Sequence, residues 1–102
     1  MSPAPTILTY EYVEGMLERR VPHREAHLAH IARWSDDGRL AMAGALGDPP
    51  SGALFVFEVD DPAAVEGFVA EDPYGEAGLV ASSRIEPWNL VSSRPLDLKG
   101  NP

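Results

Sequence analysis

The order in which strand-like and helix-like stretches follow one another narrows the possible folds of this sequence more than any other property. Stretches rich in β-branched and aromatic residues predict strands, and apolar residues three or four positions apart predict helices. The predicted elements are a strand over 6–13, a helix over 22–37, strands over 39–46 and 53–59, a helix over 62–72, and a strand over 80–91. This βαββαβ order is typical of a ferredoxin-like α+β fold, a four-stranded antiparallel sheet with two helices on one face.

Proline and glycine residues set the limits of the two helices. Pro22 suits the first turn of the first helix, and Gly38 follows its last turn. Pro62 opens the second helix and Pro73 ends it. A chain of 102 residues is long enough for one hydrophobic core and too short for two. We therefore predict one domain over 6–91, with flexible termini at 1–5 and 92–102.

The predicted hairpin strands are apolar on both faces. The alternating sets are Leu40, Met42 and Leu46 against Ala41, Ala43 and Ala45 in the second strand, and Phe55, Phe57 and Val59 against Leu54 and Val56 in the third. Only one set can pack under the helices, so the other would leave a larger apolar patch than soluble monomers usually expose. A second copy of the same sheet, related by a two-fold axis, would cover it. We therefore predict a homodimer.

Charge and composition exclude several classes of partner. With 16 acidic and 8 basic residues the formal net charge is −8, which repels nucleic acid and anionic membrane surfaces. The chain has no cysteine, so disulfides, thiolate metal sites and cysteine nucleophiles are excluded. No apolar run approaches the roughly 20 residues that span a bilayer. We expect a cytoplasmic protein that binds neither nucleic acid nor membranes.

Topology predicts a cleft at one edge of the sheet. In a βαββαβ unit with the usual right-handed crossovers, the first helix starts and the second helix ends at the same edge. That arrangement brings together His27, Asp72, Tyr74 and Gly44. His27 lies between Ile31 and Trp34 on the helical wheel and should point inward.

An inward histidine needs hydrogen-bond partners, and Asp72 is the candidate because the following proline pushes it into an extended conformation. Oriented by this carboxylate, His27 could act as a general acid or base. The alternative is that His27 is a satisfied core residue and that Asp72 simply stops a helix. Tyr74 is either a core aromatic or a residue that closes the cleft, and Gly44 permits either strand curvature or the approach of a ligand.

Other residues of the first helix raise two further possibilities. Arg24 shares the inward quadrant with His27 and could anchor an anionic substrate, or its stem could cover the core while its charged end stays in water. His23, His27 and His30 are three and four positions apart, a spacing that raises the question of a metal site. Because no acidic ligands match that spacing and His23 and His30 fall at the margin of the apolar face, we expect solvated histidines and no metal.

Several short motifs together resemble the YCII-related family. They are Arg24-x-x-His27-Leu28, Gly44, Asp72-Pro73-Tyr74, Ala77-Gly78-Leu79 and Ile85-Glu86-Pro87-Trp88, over roughly Thr6 to Val91. The resemblance implies a ferredoxin-like fold, a dimeric α+β barrel, and an active site at His27 and Asp72. It also points to a dehydrochlorinase among the relatives and to isomerases in the wider superfamily.

Residues and resemblance together lead to one leading hypothesis and two alternatives. The first is a cofactor-free enzyme of lyase, dehydrochlorinase or isomerase type that acts on a small hydroxylated, including aromatic, molecule. In it His27 moves a proton, Asp72 orients His27, and Arg24, Tyr74 and Gly44 contact the substrate. The second is a non-catalytic dimeric module that binds a small molecule and whose His-Asp pair is structural. The third is a metal-dependent enzyme that uses the histidine cluster.

Overall fold

A computed structural model describes residues 4–95 and Leu98. The strands are β1 (Thr6–Tyr12), β2 (Leu40–Leu46), β3 (Gly52–Phe57) and β4 (Val80–Pro87). The helices are α1 (Met16–Arg19), α2 (Arg24–Asp36), α3 (Ala63–Glu71) and α4 (Pro73–Glu76), with a 3-10 turn over Val21–His23 between α1 and α2. No helix in this part of the chain combines the length and the apolar character needed to cross a membrane.

The four strands form one antiparallel sheet in the order β2-β3-β1-β4. One hydrophobic core joins its inward face to Trp34 of α2 and to Val65 and Phe68 of α3. The two long helices therefore cover the same face, and the predicted ferredoxin-like α+β fold is confirmed. Pro87 is the last residue of an edge strand, where its missing N–H costs no ladder hydrogen bond.

The predicted elements exist, but several bounds differ. Pro22 lies in the 3-10 turn, so the regular helix begins at Arg24 and not at the proline. Residues 14–21 allowed no clear prediction, and this stretch contains the single-turn helix α1. A further single-turn helix, α4, begins at Pro73. The last strand ends at Pro87, four residues before the predicted Val91.

The prediction that Leu40 and Met42 share one face of β2 was wrong. The pairing between β2 and β3 shifts register between these residues, and such an irregularity moves the side chains that follow it to the other face. Leu40 pairs with Phe57 in the core, whereas Met42 pairs with Val56, which alternates with core residues and so faces away from the helices. Met42 is 41% exposed as a result.

The predicted flexible termini fall partly outside the described residues, since 1–3, 96, 97 and 99–102 are not described. Among the described residues, the N–H of Trp88 donates to the carbonyl of Pro5 over 2.8 Å, which joins the two ends of the domain. The limits of the domain at 6 and 91 stay a prediction.

Candidate active site

Asp72 owes its position to the residue that follows it. Pro73 disfavours a helical conformation in the residue before it, so α3 ends at Glu71 and Asp72 is extended, with φ −70° and ψ 121°. The same residue caps α4, because its Oδ1 accepts a hydrogen bond from the N–H of Tyr74 over 3.0 Å. Its side chain is completely buried at the junction of the two helices.

Three donors surround the buried carboxylate of Asp72. The hydroxyl of Tyr10 donates to Oδ2 over 2.8 Å, while the Nδ1 of His27 and the N–H of Tyr74 meet Oδ1 at 2.7 and 3.0 Å. Burial alone would raise the pKa of Asp72, but the hydrogen bond and charge of His27, with the bonds from Tyr10 and Tyr74, hold that pKa below its usual value of 3.8. Asp72 is therefore a carboxylate at neutral pH.

His27 lies within α2 and is almost fully buried. Its ring stacks on that of Tyr74, with centroids 3.6 Å apart and planes within 6° of parallel. Because a carboxylate can only accept at its contact with Nδ1, the neutral imidazole carries its proton on Nδ1. Nε2 is then the nitrogen with a free lone pair, and it has no hydrogen-bond partner among the described residues. His27 is also one of the residues that line a cleft.

The cleft beside His27 has a volume of about 440 Å³. Its polar lining comes from His27, Arg20, Arg24 and the two tyrosines Tyr12 and Tyr74. The other lining residues are small or apolar: Leu28, Ile31, Ala43, Gly44, Ala45, Pro50, Ala53 and Phe55. Pockets of this size and of mixed lining are typical of sites for single small molecules.

Two tyrosines of β1 complete the polar surroundings. Burial, the charge of Asp72 and the hydrogen bond to it raise the pKa of Tyr10, which therefore stays a donor to Asp72. Burial and the neighbouring Tyr74 and Asp72 raise the pKa of Tyr12 to about 12, against the opposing charges of Arg20 and Arg24. Both hydroxyls are thus protonated at neutral pH.

The structure brings the four residues of the predicted cleft, and the further candidate Arg24, to one place. His27, Asp72 and Tyr74 are in direct contact, and Arg24 and Gly44 line the cavity with His27 and Tyr74. Tyr74 presents its ring to His27, while its hydroxyl is buried and has no hydrogen-bond partner among the described residues. The catalytic and substrate-binding roles of the five stay predictions.

Sequence reasoning missed Tyr10, Tyr12 and Arg20. Tyr10 carried a readable signal, since it shares the phase of Leu8 in the first strand and an inward hydroxyl needs a partner. Tyr12 shares that phase as the last residue of β1 and carried the same signal. Arg20 carried none, because it lies in the irregular stretch between β1 and α2, where neither helical nor strand periodicity applies.

The expectation that His30 is solvated was wrong. Its side chain is completely buried, with Nε2 2.9 Å from the carbonyl of Phe68 and its ring stacked on the Phe68 ring at 4.4 Å. The apolar face of α2 is wider than its stripe of aliphatic residues indicates, because α3 supplies both a hydrogen-bond acceptor and an aromatic surface. His30 thus faces Phe68 while His27 faces Asp72, and within residues 4–95 no group of histidine and acidic residues has an arrangement that could hold a metal ion.

Comparison with known proteins places the chain in a family. The model of the YCII-related domain matches residues 5–89, which is most of the sequence. The chain belongs to the YCII-related family. It is 32% identical over 88 residues to an uncharacterised protein of Haemophilus influenzae, a match covering 78% of this chain and 90% of the relative. It is 31% identical over 84 residues to protein YciI of Escherichia coli O6:H1, covering 74% and 86%.

Solved structures agree on the fold of this family member. The 5-chloro-2-hydroxyhydroquinone dehydrochlorinase TftG of Burkholderia phenoliruptrix AC1100, solved with 2,5-dihydroxybenzoquinone, superposes with a TM-score of 0.71 at 24% identity, covering 83% of this chain and 93% of TftG. A protein of Shewanella oneidensis superposes with a TM-score of 0.55 at 20% identity, covering 85% and 89%. At these identities the likeness shows the fold alone, a four-stranded antiparallel sheet with helices on one face.

Proposed function

We propose that this YCII-related protein is a cofactor-free enzyme of lyase or isomerase type that moves a proton on a small hydroxylated molecule, aromatic compounds included. The observation that carries the proposal is the 2.7 Å contact between His27 Nδ1 and Asp72 Oδ1, beside a cleft that His27 lines. This contact leaves Nε2 of His27 free to accept a proton from a bound molecule. The carboxylate of Asp72 then stabilises the imidazolium that proton uptake creates. Arg24, Tyr74 and Gly44 would contact the substrate.

The dehydrochlorinase activity of TftG supplies a first reaction to consider for this chain. In such a reaction one hydroxyl proton would first move, through Nε2 of His27, to the ring carbon that bears chlorine, which leaves a carbonyl and a saturated carbon. A second hydroxyl proton would then pass to Nε2, its electron pair would form the second carbonyl bond, and the displaced ring electrons would expel chloride from that carbon. An isomerase would use the same two residues, with the proton returned from Nε2 to a different atom. Both reactions need one base at the cleft and no redox partner.

Turnover by His27 can be tested before the natural substrate is known. Hydroxylated aromatic compounds, beginning with 5-chloro-2-hydroxyhydroquinone, are incubated with the protein in D₂O, and deuterium incorporation and chloride release are followed by mass spectrometry and ion chromatography. Since acid–base catalysis by a positioned side chain contributes about 10²–10⁴-fold, His27→Gln should lose most of any protein-dependent rate. His23→Gln, a change to a histidine outside the cleft lining, is the matched control. A rate in His27→Gln within about three-fold of the unmodified protein would contradict the proposal.

A second candidate is a binding module in which the His-Asp pair is structural. The double role of Asp72 favours it, because this carboxylate caps α4 and accepts from Tyr10 whether or not a proton is ever transferred. In that case 2,5-dihydroxybenzoquinone or a similar ring would bind the cleft, and no compound of the panel would exchange deuterium or lose chloride.

We further propose that two copies pair through the face of the sheet opposite the helices. Exposed apolar side chains support this arrangement, namely Met42 and Leu46 of β2 and Trp88 and Leu90 beyond β4. Together with Val56, three of them border a groove of about 830 Å³ on that side. Burying this surface would be favourable at roughly 25 cal/mol per Å² of apolar area.

Met42→Glu should therefore convert a dimer to a monomer, since it places a charge among the apolar side chains that would be buried between the two copies. Light scattering behind size-exclusion chromatography measures the mass. Leu17→Glu is the control, because Leu17 is 44% exposed against 41% for Met42 but lies on α1. An unmodified protein of monomer mass, or a Met42→Glu variant that stays dimeric, would rule this interface out.

A further inference from the structure

Two arginines four residues apart face the same cleft. Arg20 follows α1, whose buried Met16 anchors that turn to a small cluster with Tyr74 and Leu79, and Arg24 is the first residue of α2. Both line the cavity that His27 lines. The fold therefore holds the backbone of both arginines at the cleft, one on each side of the 3-10 turn.

Neither arginine has a carboxylate partner among the described residues. Arg39 and Arg84 pair with Asp37 and Glu86, but no ion pair involves Arg20 or Arg24. Arg19 and Arg33 have no ion pair in the described part of the chain either, but Arg20 and Arg24 are the arginines that line the cleft. Two like charges that line one small cavity repel each other, so an anion bound there would relieve this repulsion.

Tyr12 lines the same cleft as these two cations. Its ring centroid is 6.1 Å from that of Tyr74, the ring that stacks on His27. Because its pKa is raised to about 12, it is a hydrogen-bond donor at neutral pH. The cleft thus presents three donors, and no carboxylate is among its lining residues.

We infer that Arg20, Arg24 and Tyr12 form a subsite for a planar oxyanion, so that the ligand is a small organic acid that binds as its carboxylate. Guanidinium groups match such planar anions with paired hydrogen bonds. Leu28, Ile31 and Phe55 would flank the body of the molecule, and a cavity of about 440 Å³ suits a single ring with few substituents. The oxyanion subsite defines the substrate class of the proposed enzyme. It rests on the proposed function only in that one atom of the bound acid would lie against His27 and exchange a proton with it.

Benzoate and benzamide are the probes, since they share one shape and differ in charge. Isothermal titration and NMR chemical shifts of the cleft residues would measure both affinities in the unmodified protein, in Arg20→Gln, in Arg24→Gln and in the double variant. Arg33→Gln is the matched control, because Arg33 is an exposed arginine of α2 outside the cleft lining. Arg24→Lys keeps the charge and removes the planar fork.

Benzoate should bind more tightly than benzamide, and added salt should weaken benzoate alone. We expect Arg20→Gln to weaken benzoate by about ten-fold, and the more exposed Arg24 to give about three-fold. The double variant should lose about thirty-fold if the two contributions add. Benzamide affinity should stay unchanged in every variant, and Arg33→Gln should leave both probes unchanged.

Three results would overturn the oxyanion subsite. They are no saturable binding of benzoate, equal affinity of the unmodified protein for benzoate and benzamide, and a double variant that binds benzoate no more weakly than Arg33→Gln does. The outcome is separable from that of the proposed reaction, because the affinities can also be measured in His27→Gln. Benzoate binding that depends on the arginines, without any deuterium exchange, would support the oxyanion subsite and contradict the proposed reaction. Deuterium exchange without arginine-dependent binding of benzoate would support the reaction and contradict the subsite.

Discussion

Replacing Asp72 with asparagine is expected to lower any His27-dependent rate of deuterium exchange or chloride release by about a hundred-fold or more. Proton uptake converts His27 into an imidazolium, and the ionised Asp72 beside its Nδ1 is the group that stabilises this charge. An amide of the same shape cannot do so. The affinity of the cleft for 2,5-dihydroxybenzoquinone should change little, because Asp72 is not among the residues that line the cavity.

The contacts around Asp72 indicate that the substitution preserves geometry. Oδ1 accepts from the N–H of Tyr74 and from His27, so the amide oxygen of an asparagine should take this position and keep the proton of His27 on Nδ1. The amide NH₂ then faces Tyr10, whose hydroxyl can rotate to accept in place of donating. Asp72→Asn therefore removes the negative charge while it keeps the size and the hydrogen-bond geometry of the side chain.

Glu71→Gln is the control for Asp72→Asn. It removes one negative charge from the neighbouring residue, but Glu71 is exposed and outside the cleft lining. A rate for Asp72→Asn within about three-fold of that of Glu71→Gln would mean that the pair is structural. The binding-module alternative would then account better for the cleft.

The same variant gives a readout that does not depend on a substrate. Because the pKa of Asp72 is lower in the folded chain than its usual 3.8, its ionisation adds stability above that pH, and this contribution is lost as pH falls through the folded pKa. The unmodified protein should exceed Asp72→Asn in free energy of unfolding at neutral pH. Urea denaturation at neutral pH and below pH 3.8 should show the difference shrinking in acid.

The parts of the site that were predictable from the sequence are those that regular elements fix. Pro73 ends α3 at a defined residue, the wheel of α2 turns His27 inward, and the crossover hand brings both to one edge. Each of these steps depends on local backbone chemistry or on a topological rule. The contact between His27 and Asp72 followed from them without any long-range information.

The parts that were not predictable depend on irregular backbone or on distant partners. The register shift in β2 moves Met42 away from the face of Leu40, although both share one phase of the sequence pattern. His30 looks marginal on its own helix and is buried only because Phe68, 38 residues away, accepts its hydrogen bond. Arg20 sits between two short turns, where no periodicity indicates which way a side chain points.

Phe68→Ala should cost about 3–5 kcal/mol of the free energy of unfolding, which is the usual range for removing a buried aromatic ring. Phe68 is completely buried at the centre of the main core. Its ring lies within about 5.4 Å, centroid to centroid, of the rings of His30, Trp34, Phe55 and Phe57. These rings belong to elements that are themselves packed in the core, so we expect the alanine change to leave a cavity between α2, α3 and the sheet.

The loss of packing at Phe68 should also disturb the candidate active site, because α2 and α3, which meet at Phe68, position His27 and Asp72. His27 lies one turn before His30 on α2, and Asp72 follows one turn after Phe68, at the end of α3. Removing the ring separates the surfaces that hold these helices together, whereas Phe68→Leu keeps much of the apolar volume and should cost clearly less. Urea titrations and thermal melts of the three proteins measure the costs, and for a domain of this size the alanine change should lower Tm by at least about 12 °C. If Phe68→Ala costs less than about 1 kcal/mol, the helices are held mainly by the contacts of Asp72, and the pair would be the structural centre of the domain.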